Sequence, residues 1–103
     1  MKIDKLKYSE MCGKFLDIEL TEEIDFLNNW NWIMKVVDAI ENMKTYSFHI
    51  EKQPFQNLNL AQVNVAPLHP YGMSVLFTSA VHKESKKEAV VETIWEFLQL
   101  YNK

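Results

Sequence analysis

The sequence predicts a single α+β domain in which three helices pack on a small antiparallel sheet. Apolar residues recur at helical spacing near both ends of the chain, and they alternate with polar residues in the middle. Prolines interrupt the alternating segments. The predicted order of elements is therefore α-α-β-β-β-α over residues 1–103, in an α/β/α sandwich-like arrangement.

The first helix is predicted from residue 5 to residue 18, because its apolar residues fall on one face. These residues are Tyr8, Met11, Cys12, Phe15 and Leu16. Gly13 weakens the helix by roughly 1 kcal/mol relative to alanine, and it suits the close approach of another element.

The second helix is predicted to begin after Asn28 or Asn29, since either side chain can accept a hydrogen bond from a free backbone N–H. It is expected to end near Met43 or Lys44, where a lysine suits the negative end of the helix. Its apolar stripe has helical spacing. The stripe consists of Trp30, Ile33, Val37, Ile40 and Met43.

Three strands are predicted in the middle of the chain. Tyr46, Phe48 and Ile50 alternate with polar residues, which is typical of a half-buried strand. Pro54 ends this strand, and the connection 53–59 is too long for a two-residue hairpin. The second strand is expected at residues 61–65 and the third at residues 73–78.

The last helix has the clearest start signal. Ser85 and Glu88 form an S-x-x-E capping box, in which each side chain satisfies a free backbone donor. The apolar stripe that follows continues almost to the end of the chain. It consists of Val91, Ile94, Trp95, Leu98 and Tyr101.

Composition excludes several classes of protein. The net charge of −3 and the pI of about 5.6 do not favour nucleic-acid binding, which requires a basic surface. The chain lacks an apolar run of the length that spans a membrane, so no membrane partner is expected. A single cysteine and a charged N-terminus without an apolar signal core predict a reducing compartment, the cytoplasm.

The sequence contains no recognised catalytic or cofactor motif, so we expect no enzymatic activity, no cofactor and no metal. His49, His69 and His82 do not have metal-ligand spacing. Cys12 lies on an apolar helix stripe without a neighbouring base, which is typical of a core cysteine.

Aromatic residues are the main candidates for an interaction surface. Trp30 and Trp32 lie about 200° apart around a helix, so both cannot face the same core. Phe55, His69 and Tyr71 lie on proline-containing loops, where functional residues are common. Alternatively, helices cover both sides of the tryptophan pair, or the loops are ordinary connections.

A second candidate is the short basic segment with Lys83, Lys86 and Lys87, preceded by His82. These residues could contact the phosphate of a nucleotide. Lysines near a helix start are also common as solvated surface residues, so both interpretations stay open.

Three segments of the chain read MCGKFL at 11–16, NNWNWIMKVVDAIE at 28–41 and SKKEAVVETIWEFL at 85–98. Together they resemble small uncharacterised proteins of bacteriophages and gut Bacteroidetes, and more loosely the phage ABA sandwich domain family. The resemblance implies a phage or mobile-element origin. It implies no catalytic residues, because likeness of fold does not transfer function.

We therefore expect a phage or mobile-element accessory protein that acts as a non-enzymatic protein-interaction module, with inhibition of a host defence as one concrete form. Its partner is expected to be another protein or a second copy of itself. The alternative is a homo-oligomer that binds a small ligand, such as a nucleotide. An enzyme is a third alternative.

Overall fold

The structure is a computed structural model that describes residues 3–53, 58–65, 75–78 and 81–102. In chain order its helices are α1 (Lys5–Leu16), α2 (Trp30–Asn42) and α3 (Lys86–Tyr101). Its strands are β1 (Tyr46–Gln53), β2 (Leu58–Val65), β3 (Val75–Leu76) and β4 (Val81–Lys83). The predicted α+β class is confirmed.

The predicted order and strand count are not matched. Two full-length strands, β1 and β2, pair antiparallel from Tyr46 opposite Val65 to Gln53 opposite Leu58. Of the third predicted strand, 73–78, residues 75–76 form β3, whereas residues 77–78 are not in a strand. A further short strand, β4, follows, and β3 and β4 pair with opposite ends of β2 on its other side. The segment β4 was missed because three residues are too few to show an alternating pattern.

All three helices begin at side chains that accept a hydrogen bond from the first turn. Asp4 caps α1, Asn29 caps α2 and Ser85 caps α3. Asn29 is thus the cap among the two predicted candidates, and the Oγ of Ser85 accepts from the N–H of Glu88. The first helix ends two residues earlier than predicted, because Asp17 adopts a left-handed conformation with φ 57°.

The helices form two layers on one face of the sheet. In the first layer α2 packs on β1, and α3 packs on β2 and β4, while α1 packs on α2 and α3. On the opposite face of β1, Ser47, His49 and Glu51 are exposed. A sandwich with helices on both faces is therefore not seen among the described residues.

The core lies between the sheet and the helices. The face of β1 that carries Phe48 and Ile50 packs against it, opposite Val63 and Ala61 of β2. The hydroxyl of Thr93, which is fully buried, donates to the carbonyl oxygens of Ala61 and Ala89 at 3.0 and 2.8 Å. This links α3 to the middle of the central strand.

Gly13 allows a close approach, as the sequence predicted, although the neighbour is local. A Cβ atom at this position would lie 2.9 Å from Cδ2 of Leu20. The segment after α1 therefore folds back over the helix at its glycine.

Candidate functional site

The starts of all three helices surround one pocket, with a volume of about 680 Å³. Lys5 begins α1, Asn28 lies just before α2, and Lys87 lies in the first turn of α3. Lys83 of β4 completes a set of three lysines at the wall. We call this cavity the lysine pocket. Its volume falls within the range of about 300–1,000 Å³ that is typical of small-molecule sites.

The helices can share a pocket at their starts because they run side by side in the same direction. Their opposite ends surround a second pocket, of about 350 Å³, which is lined by Phe15 of α1, Met43 after α2 and Tyr101 of α3. Near this end the rings of Phe15 and Tyr101 meet edge to face, 5.6 Å apart. The helix dipoles are therefore aligned, and their positive ends lie together at the lysine pocket.

Two of the lysines are already engaged by neighbouring side chains. The Nζ atom of Lys83 lies 3.1 Å from Oε1 of Glu92, so this lysine is ion-paired at the wall. The Nζ atom of Lys87 lies 5.8 Å from the ring centroid of Trp30. At that distance the ammonium group is attracted by the face of the ring. Trp30 thus holds Lys87 at the edge of the pocket.

A buried asparagine fixes the turn that carries Lys83 into α3. Asn59 of β2 is 8% exposed, and its Nδ2 donates to the carbonyl oxygens of Lys83 and Glu84 at 3.2 and 2.9 Å. Ser85 then caps the helix. The position of this wall of the pocket therefore depends on a side chain of the central strand.

The protein itself places a stabilised anion beside this pocket. The carboxylate of Asp25 accepts hydrogen bonds from the N–H groups of Leu27 and Asn28 at 2.9 and 3.0 Å. These bonds, led by that of Leu27 and aided by the charge of Lys87, hold the pKa of Asp25 below its usual range against the opposing effect of burial. Asp25 therefore already accepts from these two backbone donors and is attracted by Lys87.

The pocket also contains groups that limit its positive charge. Glu88 and Glu92 line it together with the three lysines. The apolar residues that line the pocket are Ile3, Leu27 and Val91. The lining of the lysine pocket therefore combines basic, acidic and apolar residues.

The candidate interaction residues are not brought together in the described part of the chain. Trp30 is 36% exposed, whereas Trp32 is partly buried against Phe26, with ring centroids 5.8 Å apart. Phe55, His69 and Tyr71 lie outside the described residues. Whether any of these residues contacts a partner stays a prediction.

The remaining sequence candidates have ordinary surroundings. His49 is exposed, and its Nε2 lies 3.3 Å from a carboxylate oxygen of Glu51. Cys12 is fully buried, and burial raises the pKa of its thiol to about 12, so it is not a nucleophile at neutral pH. Within the described ranges no group of three or more His, Cys, Asp or Glu residues could hold a metal ion. None of the helices described is long and apolar enough to cross a membrane.

The lysine pocket includes part of the basic segment that the sequence singled out. Lys83 and Lys87 line it, whereas Lys86 is exposed and is not among its lining residues. The side chain of His82 lies outside the described part of the structure. No pattern in the sequence indicated Lys5, which comes from the other end of the chain.

The chain matches no protein-family model, no curated protein and no solved structure. The resemblance to phage proteins and to the ABA sandwich domain therefore stays an expectation.

Proposed function

We propose that this chain binds a small ligand through a phosphate group in the lysine pocket. The observation that carries the proposal is the convergence of three helix starts and three lysines on one cavity. Free N–H groups at a helix start and ammonium groups both favour a phosphate. This corresponds to the ligand-binding alternative that the sequence left open.

Lys87 is the residue best suited to test the proposal. It lies at the start of α3, lines the pocket and is held beside Trp30. Lys86 is its neighbour on the same helix, carries the same charge and does not line the pocket. The two positions therefore form a matched pair, in which the same substitution removes one charge inside or outside the site.

The experiment is isothermal titration of the protein with adenosine monophosphate, which supplies one phosphate on a small organic body. We expect Lys87→Gln to weaken binding about tenfold, which corresponds to about 1.4 kcal/mol. We expect Lys86→Gln to change the affinity less than twofold. Absence of binding at millimolar ligand, or an equal loss in both variants, would refute the proposal.

A protein-interaction module is the second candidate function. It is supported by Trp30, a large aromatic side chain that is 36% exposed, and by Leu6, which is 69% exposed on α1. Exposed aromatic residues are common anchors in protein interfaces. Inhibition of a host defence protein, a phage origin and a lack of enzymatic activity stay predictions that belong with this candidate.

Native mass spectrometry of the purified chain separates the two candidates. A reproducible additional small mass on the protein supports ligand binding, and its value identifies the chemical class of the ligand. The same measurement gives the oligomeric state and so tests the predicted homo-oligomer. A bare protein that is retained by a protein partner through Trp30 supports the interaction module instead.

A further inference from the structure

The lining of the lysine pocket combines basic and apolar residues, and this combination restricts the ligand. Lys5 and Lys87 supply positive charge, while Ile3, Leu27 and Val91 form the apolar wall. We infer that the ligand is a phosphate monoester with an apolar or aromatic body, which packs on the apolar wall. This inference rests on the proposed phosphate site and specifies what that site binds.

The geometry of α3 places a lysine and an apolar residue of the lining close together. Lys87 and Val91 both line the pocket and are four residues apart, so they lie on the same face of the helix. Four residues rise about 6 Å along the axis. The backbone therefore places Val91 within reach of the body of a small ligand whose phosphate contacts Lys87.

The charges that line the pocket suit one phosphate group better than several. Three lysines against two glutamates leave one net positive charge at the wall, and Glu92 already pairs with Lys83. Lys5 and Lys87 then face Glu88 and the neighbouring Asp25, and the aligned helix starts add partial positive charge, which suits at most one phosphate group. A second or third phosphate would lie beside Glu88 and Glu92, where repulsion opposes its binding.

The test compares four compounds by calorimetry on the unmodified chain: inorganic phosphate, phenyl phosphate, adenosine monophosphate and adenosine triphosphate. We expect both monoesters to bind at least tenfold more tightly than inorganic phosphate, since their bodies bury apolar surface against the wall. We expect the triphosphate to bind no more tightly than the monophosphate. Affinity that rises with the number of phosphates, or that is equal for phosphate and phenyl phosphate, overturns the inference.

A pair of substitutions assigns the gain to the apolar wall. Ile3→Ser removes an apolar group from the wall, whereas Leu6→Ser changes a residue on α1 that is 69% exposed and does not line the pocket. We expect Ile3→Ser to weaken phenyl phosphate about fivefold and to leave inorganic phosphate within twofold. We expect Leu6→Ser to leave both unchanged. An equal effect of the two substitutions on phenyl phosphate contradicts the assigned role of Ile3.

The outcomes distinguish failure of this inference from failure of the proposed function. If phosphates bind through Lys87 but the monoesters have no advantage, the site stands and the ligand class is wrong. If none of the four compounds binds, the proposed function is refuted, and the inference is refuted with it. The comparison of compounds uses the unmodified chain, so it decides the question even if Ile3→Ser impairs folding.

Discussion

Replacement of Asn59 by leucine tests how strongly the central strand holds the wall of the lysine pocket. The amide of Asn59 donates to the carbonyl oxygens of Lys83 and Glu84, at 3.2 and 2.9 Å. Leucine has a similar volume but no donor, so Asn59→Leu removes both hydrogen bonds without creating a large cavity. The perturbation is therefore confined to the turn between β4 and α3.

The expected loss of stability follows from these two bonds. Each contributes about 1 kcal/mol net, because the carbonyl groups can be solvated when the turn is near the surface. Glu84 is exposed and Lys83 is partly buried, so the turn meets this condition. The free energy of unfolding should fall by about 2 kcal/mol, and Tm by about 8–16 °C for a domain of this size.

Thermal and urea denaturation measure this change, and Asn64→Leu is the control. Asn64 lies on the same strand as Asn59, but its side chain points to the other face of the sheet. It pairs with Ser47 of β1. We expect the control to stay within about 0.5 kcal/mol of the parent. Binding of adenosine monophosphate should weaken in Asn59→Leu alone, because Lys83 and Ser85 lose their support. An Asn59→Leu variant as stable as Asn64→Leu would refute the assigned role of the amide.

Three further predictions concern other parts of the fold. Gly13→Ala should raise the free energy of unfolding by up to about 1 kcal/mol in urea denaturation, because alanine favours a helix more than glycine does. The added methyl group would lie close to the end of the partly exposed Leu20 side chain, which can move away. A loss of stability would mean that Leu20 is held in place. The thiol of Cys12 should resist iodoacetamide at pH 8 in the folded protein, because burial raises the pKa of this thiol to about 12. It should react once urea unfolds the protein. Rapid labelling of the folded protein contradicts the prediction. Asp25→Asn should lower Tm at pH 7, and the Tm values of variant and parent should converge at acid pH. The pKa of Asp25 is depressed in the folded state, so its charge stabilises the fold above the unfolded pKa of about 3.9, and this stability is lost as pH falls through the folded pKa. A constant difference in Tm across this range contradicts the prediction.

The helices could be predicted from the sequence because their signals are local. Apolar spacing located all three, and the cap residues Asn29 and Ser85 were among the predicted candidates. These signals depend only on residues within a turn or two of each other. The end of α1 was misplaced because Ile18 continues the apolar stripe, whereas the left-handed Asp17 has already ended the helix.

The sheet was harder to predict because its edge depends on distant partners. The segment β4 is recognised only by its pairing with Asn59–Ala61 of the central strand, and three residues carry no pattern of their own. The placement of the helices on one face of the sheet also depends on distant partners, so it could not be predicted from local patterns. Alternation in β1 indicates that one side is buried, but it does not say which elements cover it.

The candidate site was predictable only in part. Lys83 and Lys87 lie close together in the sequence, so they could be recognised as a basic segment. Lys5 and Leu27 join them only because the three helices run in the same direction, which is a property of the tertiary packing. Spacing within a single helix holds no information about such a convergence.

The position of α1 gives this chain a built-in link between ligand and local order. This helix packs on α2 and α3, while the sheet is covered by those two helices. Its detachment would expose the buried side chains of Tyr8 and Cys12, and it would remove Ile3 and Lys5 from the lysine pocket. A ligand that requires both residues binds only when α1 is packed against the other helices. The free energy of ligand binding therefore increases the free energy needed to detach α1. Amide hydrogen exchange in α1 would then slow with increasing ligand concentration, while exchange in the centre of β2 would continue to report unfolding of the whole domain.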